Sequence, residues 1–353
     1  MIWQDIKTMT LTFSLALATG WLFFQIGFPA PYLMGSLFGV WLTGALIKPL
    51  SPYLGVARWF HIPVVLGLGV LIGGAFGDDI LSKLGHWWDT VLLMLFTTIG
   101  VSVVSYQFLR HYCGYDKILS YFCCVPGGQA EAIIMARDLV EKDYVVALFH
   151  LVRVFIVFVS TPFLLAVIEG QSAVARSNDM LVAMPSLMDL PASDIMAFFV
   201  MAIGGYGFAR VIKMPMAHLL GPLSVSSVAH YLGVVELPRV NEFVILAQLV
   251  IGGGIGARLS KVAFKELFGY FKMAVLNTMI VLTGYVSVAV FITVIYDTSF
   301  LEIWMAFVPG GLYEVTLLAL VFGFDVAFIA FHHTTRVLLI FFTLPVFAKK
   351  LRS

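Results

Sequence analysis

The sequence reads VPGGQAE at residues 125–131 and VPGGLYE at residues 308–314, five identities in seven positions at a spacing of 183. Pro126 and Pro309 lack a backbone donor and clash with the preceding turn, and the pairs Gly127–Gly128 and Gly310–Gly311 hold a helix poorly. Each motif therefore cuts a hydrophobic stretch in two. Each also places an acid, Glu131 or Glu314, three residues past its second glycine.

The rest of the chain decides what kind of stretch is being cut. Of 353 residues, 61% are hydrophobic and 12% charged, against about a quarter charged in soluble chains. That composition predicts an all-α polytopic membrane protein, because lipid-exposed backbone must satisfy its own hydrogen bonds. A span needs about 20 mostly apolar residues. Segments fall near 8–26, 28–47, 62–77, 88–109, 118–137 and 144–168, then near 195–212, 214–233, 242–257, 272–296, 301–322 and 325–347. This divides the chain into a first membrane repeat (1–168), a linker (169–191) and a second membrane repeat (192–353). Met1 is read as the start of the mature protein, since no separate signal peptide precedes the first span.

The two sets correspond in order, as an internal duplication requires. FPAPYLMGSL (28–37) matches MPMAHLLGPL (214–223), and LIGGAFG (71–77) matches VIGGGIG (250–256). His150 meets His333, Arg153 meets Arg336 and Pro162 meets Pro345, each at the spacing of the opening motif. If all twelve segments cross the membrane, the Lys and Arg outside them divide ten against nine. If the two Pro-Gly-Gly segments instead enter and leave on one face, they divide sixteen against three. The second division obeys the positive-inside rule. Each repeat then has five crossings and the repeats are inverted, with both termini cytoplasmic.

Broken backbone at membrane depth marks the substrate site in transporters with inverted repeats. A helix starting near Gly128 or Gly311 offers unbonded N–H groups to an anion; the alternative is a packing kink. As transport elements Arg153 and Arg336 would bind an anionic head group while Glu131 and Glu314 load and release H+ or Na+; the alternative is plain ion pairs, Glu131 with Arg153 and Glu314 with Arg336. His150 and His333 precede those arginines by three residues, so each pair shares a helix face; they are titrating groups or packed core histidines. Asp143 and Asp325 read as N-caps. The glycines of the third segments (Gly69, Gly73 and Gly77; Gly252 and Gly256) serve close helix packing or the transport site.

Several classes are excluded or demoted. Cys113, Cys123 and Cys124 have neither disulfide nor metal-ligand spacing, and the pair His332–His333 has no nearby carboxylate ligand. A net charge of +1 gives no nucleic-acid footprint. No Ser/His or metal constellation points to an enzyme, and no cofactor is expected beyond a coupling H+ or Na+. The expected partners are the lipid bilayer and a small-molecule substrate; a homodimer is one compatible assembly.

The paired Pro-Gly-Gly-x-x-Glu segments and downstream His-x-x-Arg resemble the AbrB-type membrane duplication family of bacteria, over about residues 8–347. The resemblance implies a bacterial inner-membrane protein, similar in outline to the bile acid symporter and cation/proton antiporter superfamily. It also implies inverted repeats and broken helices. Family labels of ammonia monooxygenase or gene regulator do not suit these residues. Gln129 departs from the family's Pro-Gly-Gly-Leu, which bears on what the first site reads. The expectation is thus a secondary transporter of a small organic anion or amino-acid-like solute, working by alternating access. The alternative is a membrane sensor that controls expression through a partner.

Overall fold

The computed structural model describes residues 2–263 and 265–352; Met1, read above as the start of the mature chain, lies outside them. Fifteen α-helices and no strand occur among the described residues. In chain order they are α1 (Ile2–Gln25), α2 (Pro31–Leu46), α3 (Arg58–Gly73), α4 (Ile80–Gln107), α5 (Lys117–Cys124), α6 (Gln129–Leu139), α7 (Asp143–Ile168) and α8 (Gln171–Ala183). Then follow α9 (Ala192–Val211), α10 (Ala217–Tyr231), α11 (Asn241–Ser260), α12 (Phe268–Tyr296), α13 (Phe300–Phe307), α14 (Leu312–Phe322) and α15 (Val326–Arg352). Seven of these, α1, α4, α7, α9, α11, α12 and α15, are long and apolar enough to cross a membrane.

Elements α1–α7 and α9–α15 run in the same order, down to half-helices of 8 and 11 residues at each Pro-Gly-Gly. Even backbone detail recurs: Ala30 and Met216, the N-caps of α2 and α10, both take φ near +45°. Between the two series, part of the expected linker 169–191 is itself helical. Ala173, Val174, Ser177, Asn178 and Leu181 of α8 are buried, at the three-and-four spacing of an amphipathic helix. The Asn178 side-chain amide donates to the Phe28 carbonyl.

The helices form two compact units, and each unit draws on both halves of the sequence. The first holds the chain up to Lys83, Pro162–Val262 and Thr316–Ala327; the second holds Leu84–Thr161, Ala263–Val315 and Phe328 onward.

In the first unit α2 packs on α11 and α3 on α10, and the two contacts are built alike. A side chain at Gly252 or Gly256 would strike the carbonyls of Leu33 and Leu37 at 2.5 Å, and one at Gly69 or Gly73 those of Leu219 and Leu223 at 2.7 and 2.5 Å. Close backbone approach is thus the use of these glycines. Gly77 is different: it lies past the end of α3, with only Asp79 near its missing side chain. Polar bonds pin the same interfaces, from the Leu33 amide to Gln248 Oε1 (3.2 Å) and from Ser226 Oγ to the Val70 carbonyl (2.7 Å).

Candidate functional site: the two broken helices

Both Pro-Gly-Gly turns lie in the second unit and close the same way. Gly127 N donates to the Val125 carbonyl (3.2 Å) and Gly310 N to the Val308 carbonyl (2.9 Å). The next helix then starts with Ala132 N bonding the Gly128 carbonyl and Val315 N the Gly311 carbonyl. Pro126, Gly127, Pro309 and Gly310 are buried, while Gly128 and Gly311 are half-buried.

Ending a helix among buried residues strands its last carbonyls. The His-x-x-Arg pairs of the long helices α7 and α15 answer that need. His150 Nε2 lies 3.0 Å from the Phe122 carbonyl at the end of α5, and His333 Nε2 lies 2.7 Å from the Met305 carbonyl near the end of α13. The other ring nitrogens face the guanidiniums, Arg153 to His150 Nδ1 at 2.7 Å and Arg336 to His333 Nδ1 at 2.9 Å. A carbonyl only accepts and a guanidinium only donates, so both rings are neutral with the proton on Nε2. Protonating either ring would break its arginine bond. In this arrangement both histidines are buried and hydrogen-bonded at each ring nitrogen. Arg336 also donates to the Phe307 carbonyl (2.7 Å), which places its charge at the negative end of α13.

The copies cover each other. Ile340 and Arg336 of α15 stand over Gly127, at 2.9 and 3.5 Å from where a side chain would start, and Val157 of α7 stands over Gly310 at 3.2 Å. Tyr121 of α5 reaches the Leu344 carbonyl of α15 (3.4 Å), and Trp304 of α13 reaches Thr161 of α7 (3.3 Å). Adding 183 to one member of each pair gives its counterpart in the other, so the contacts are reciprocal, as a two-fold relation produces. Finally the breaks touch: Gln129 Nε2 donates to Glu314 Oε1 at 3.4 Å.

The profile of one family, described as transition state regulatory protein AbrB, matches residues 38–352. The chain belongs to the AbrB family. It is 24% identical over 343 residues to the putative regulator AbrB of Escherichia coli (strain K12), covering 97% of this chain and 95% of that protein. It is also 23% identical over 306 residues to the uncharacterized protein YhjN of Bacillus subtilis (strain 168), covering 83% and 79%. No solved structure matches it.

In this AbrB-family chain the acids and arginines divide between opposite helix ends. Glu131 and Glu314 lie in the first turns of α6 and α14, where the dipole favours a negative charge. No ion pair joins Glu131 to Arg153 among the described residues. Glu314 is fully buried and Glu131 half-buried. Asp143 occupies the first turn of α7, while the side-chain cap at the start of the first broken segment is Asp116, which accepts from Ile118 N and Leu119 N. No group of three metal-ligating side chains occurs among the described residues.

Several contributors carry no sequence motif. Tyr285 of α12 bonds Thr98 of α4 at 2.9 Å and stands near Arg336. His332 spans Thr90 Oγ1 (2.9 Å) and the Phe328 carbonyl (2.8 Å). The outer ends of the first broken segment, Asp116 and Leu119 on one side and Leu139–Lys142 on the other, line one cavity of about 380 Å3. There the Tyr270 hydroxyl lies 3.1 Å from Lys142 Nζ, and this bond holds the ammonium above the usual lysine range.

Proposed function

We propose that the chain is a secondary active transporter of the bacterial inner membrane, moving a small organic anion or amino-acid-like solute coupled to H+ or Na+. Alternating access works around the two Pro-Gly-Gly turns. The observation that carries this reading is their reciprocal construction: two breaks closed by matching backbone bonds, each covered by the other repeat's long helix, meeting at Gln129 and Glu314. Unwound backbone and helix ends gathered at one point supply both N–H donors for an anion and carboxylates for a cation. Because both histidines and Arg336 already serve the carbonyl ends, and Arg153 is held by His150, the substrate anion binds at the N-terminal ends of α6 and α14.

The reciprocal contacts also support inverted repeats, and the cavity at the outer ends of α5 and α6 supports a segment that turns back. Nineteen helical residues in a line would part those ends by about 28 Å, too far to line one 380 Å3 space. The orientation follows from the charge count, with both termini cytoplasmic. A cysteine at Lys142, labelled from outside the cell, would overturn that orientation. The substrate is small and the chain needs neither cofactor nor nucleic acid; it is no enzyme, and a homodimer is one assembly for it.

The direct test is flux of a solute panel in vesicles, native against Glu131→Gln and Glu314→Gln. Lost or uncoupled transport is expected, strongest for Glu314. Unchanged transport in both removes the coupling role.

A second reading is a ligand sensor acting through a partner, favoured by the printed name of the Escherichia coli relative, a putative regulator. Ligand binding without flux in proteoliposomes would select it.

A further inference from the structure

The first unit contains a groove that the transport site does not use. It holds about 390 Å3 between α3, α9, α11 and the turns before α9 and α11, within the usual range of ligand sites. Along α3 it runs from Phe60 to Leu71, about 16 Å at helical rise. That is the depth of one leaflet, half of a hydrocarbon core about 30 Å thick.

The walls are apolar, with Phe60, Phe198, Phe199 and Phe243 prominent. Phe198 and Phe243 meet edge to face at 5.5 Å, and both rings press on Gly67, where a side chain would stand 2.7 Å from Phe198 Cζ. The rings are thereby fixed with the groove left open beside them.

Two ionisable groups line the groove, Asp194 and Glu242, and both are acids. Each lies in the first turn of a membrane-length helix, α9 or α11, and so at head-group depth. Glu242 is held in place by Ser186 Oγ (2.6 Å) and Leu187 N (3.0 Å). On the flank of α9, Met196, Phe199 and Val200 are 66%, 56% and 64% exposed, a surface that lipid covers in a bilayer. A groove opening on such a surface is filled from the leaflet.

We propose that it holds one acyl chain of a phospholipid whose head carries a primary ammonium, with Asp194 and Glu242 receiving that ammonium. A primary ammonium brings three N–H donors to the two carboxylates, whereas an anionic head is repelled by them.

Native mass spectrometry of the purified full chain tests this with phosphatidylethanolamine, phosphatidylglycerol and dodecylamine as probes. The native protein should retain phosphatidylethanolamine about tenfold over phosphatidylglycerol, a difference of about 1.4 kcal/mol. Asp194→Asn should shrink that preference. Because Glu242 also anchors the Ser186–Leu187 turn, Asp194→Asn is the cleaner variant, and an unchanged melting temperature certifies its fold. Leu246→Trp, which fills the groove, should remove one retained lipid whatever its head. Equal retention of the two lipids by the native protein, or full retention in Leu246→Trp, overturns the proposal. Dodecylamine retained where phosphatidylethanolamine is not also overturns it, in favour of a free amine.

Discussion

The two breaks share one plan and are held open by different means. In the first, both glycines take backbone angles that side chains disfavour, φ 141° at Gly127 and 55° at Gly128. In the second, neither glycine does. There a side chain at Gly311 would collide with the Glu314 carboxylate, and one at Gly310 would stand 2.5 Å from Val315. The first break is thus maintained by backbone conformation, the second by packing around a fully buried acid. The two motifs share one device and differ in what surrounds it: Gln129 against Leu312, Phe149 against His332.

The largest test of that difference is at the arginines. Arg336 holds both His333 and the Phe307 carbonyl, while Arg153 holds His150 and has no counterpart of the carbonyl bond among the described residues. Hydrogen bonds to charged groups contribute about 1.5–3 kcal/mol each. Arg336→Ala should therefore cost about 3–5 kcal/mol and Arg153→Ala one bond less, read as detergent melting curves of both variants. Equal losses would mean that the copies are energetically equivalent.

Next comes the backbone. Gly128→Ala puts a side chain into the left-handed region and against Ile340 Cγ2 at 2.8 Å, a cost of about 1–3 kcal/mol. Gly311→Ala leaves φ tolerable and instead displaces the Glu314 side chain. Its signature should be lost ion dependence of transport with a smaller drop in melting temperature. If Gly311→Ala proves the more destabilising, packing rather than conformation dominates at both sites.

Much of this comparison was legible in the sequence because side-chain identities repeat at one spacing. The offset of 183 paired His150 with His333 and Arg153 with Arg336. It did not reveal that the histidines hold carbonyls, because a backbone acceptor has no residue-type signature. The positive φ at Gly128 is equally silent, since Gly-Gly is written the same way at Gly310–Gly311. Tyr285 and Thr98 carry no signal for another reason: one hydroxyl in an apolar helix looks like a surface accident until its partner on another helix is known. The charges of segment 169–191 mark it as a linker, yet the buried positions of α8 lie between those charges. Weighing Ala173, Val174, Ser177 and Leu181 by period would have found that helix.

His332 sharpens the contrast at intermediate size. The first copy has Phe149 at the matching position, so His332→Phe makes the second break resemble the first. Two hydrogen bonds disappear, to Thr90 and Phe328, for about 1–2 kcal/mol in melting measurements. A neutral outcome would mean that the ring's aromatic packing, 4.2 Å from Phe328, is all that the position requires.

The smallest effect is the most informative about whether the breaks act together. Gln129→Leu gives the first motif the Leu of the second and removes the contact with Glu314. At 3.4 Å that bond is long, so its loss should cost no more than about 1 kcal/mol. Stability alone would hardly register it; a double-mutant cycle with Glu314→Gln isolates it. If the two breaks form one site, the transport rates of the double variant will depart from the product of the single effects. Strict additivity would mean that they meet without communicating, and each Pro-Gly-Gly turn would then have to be treated as a separate device.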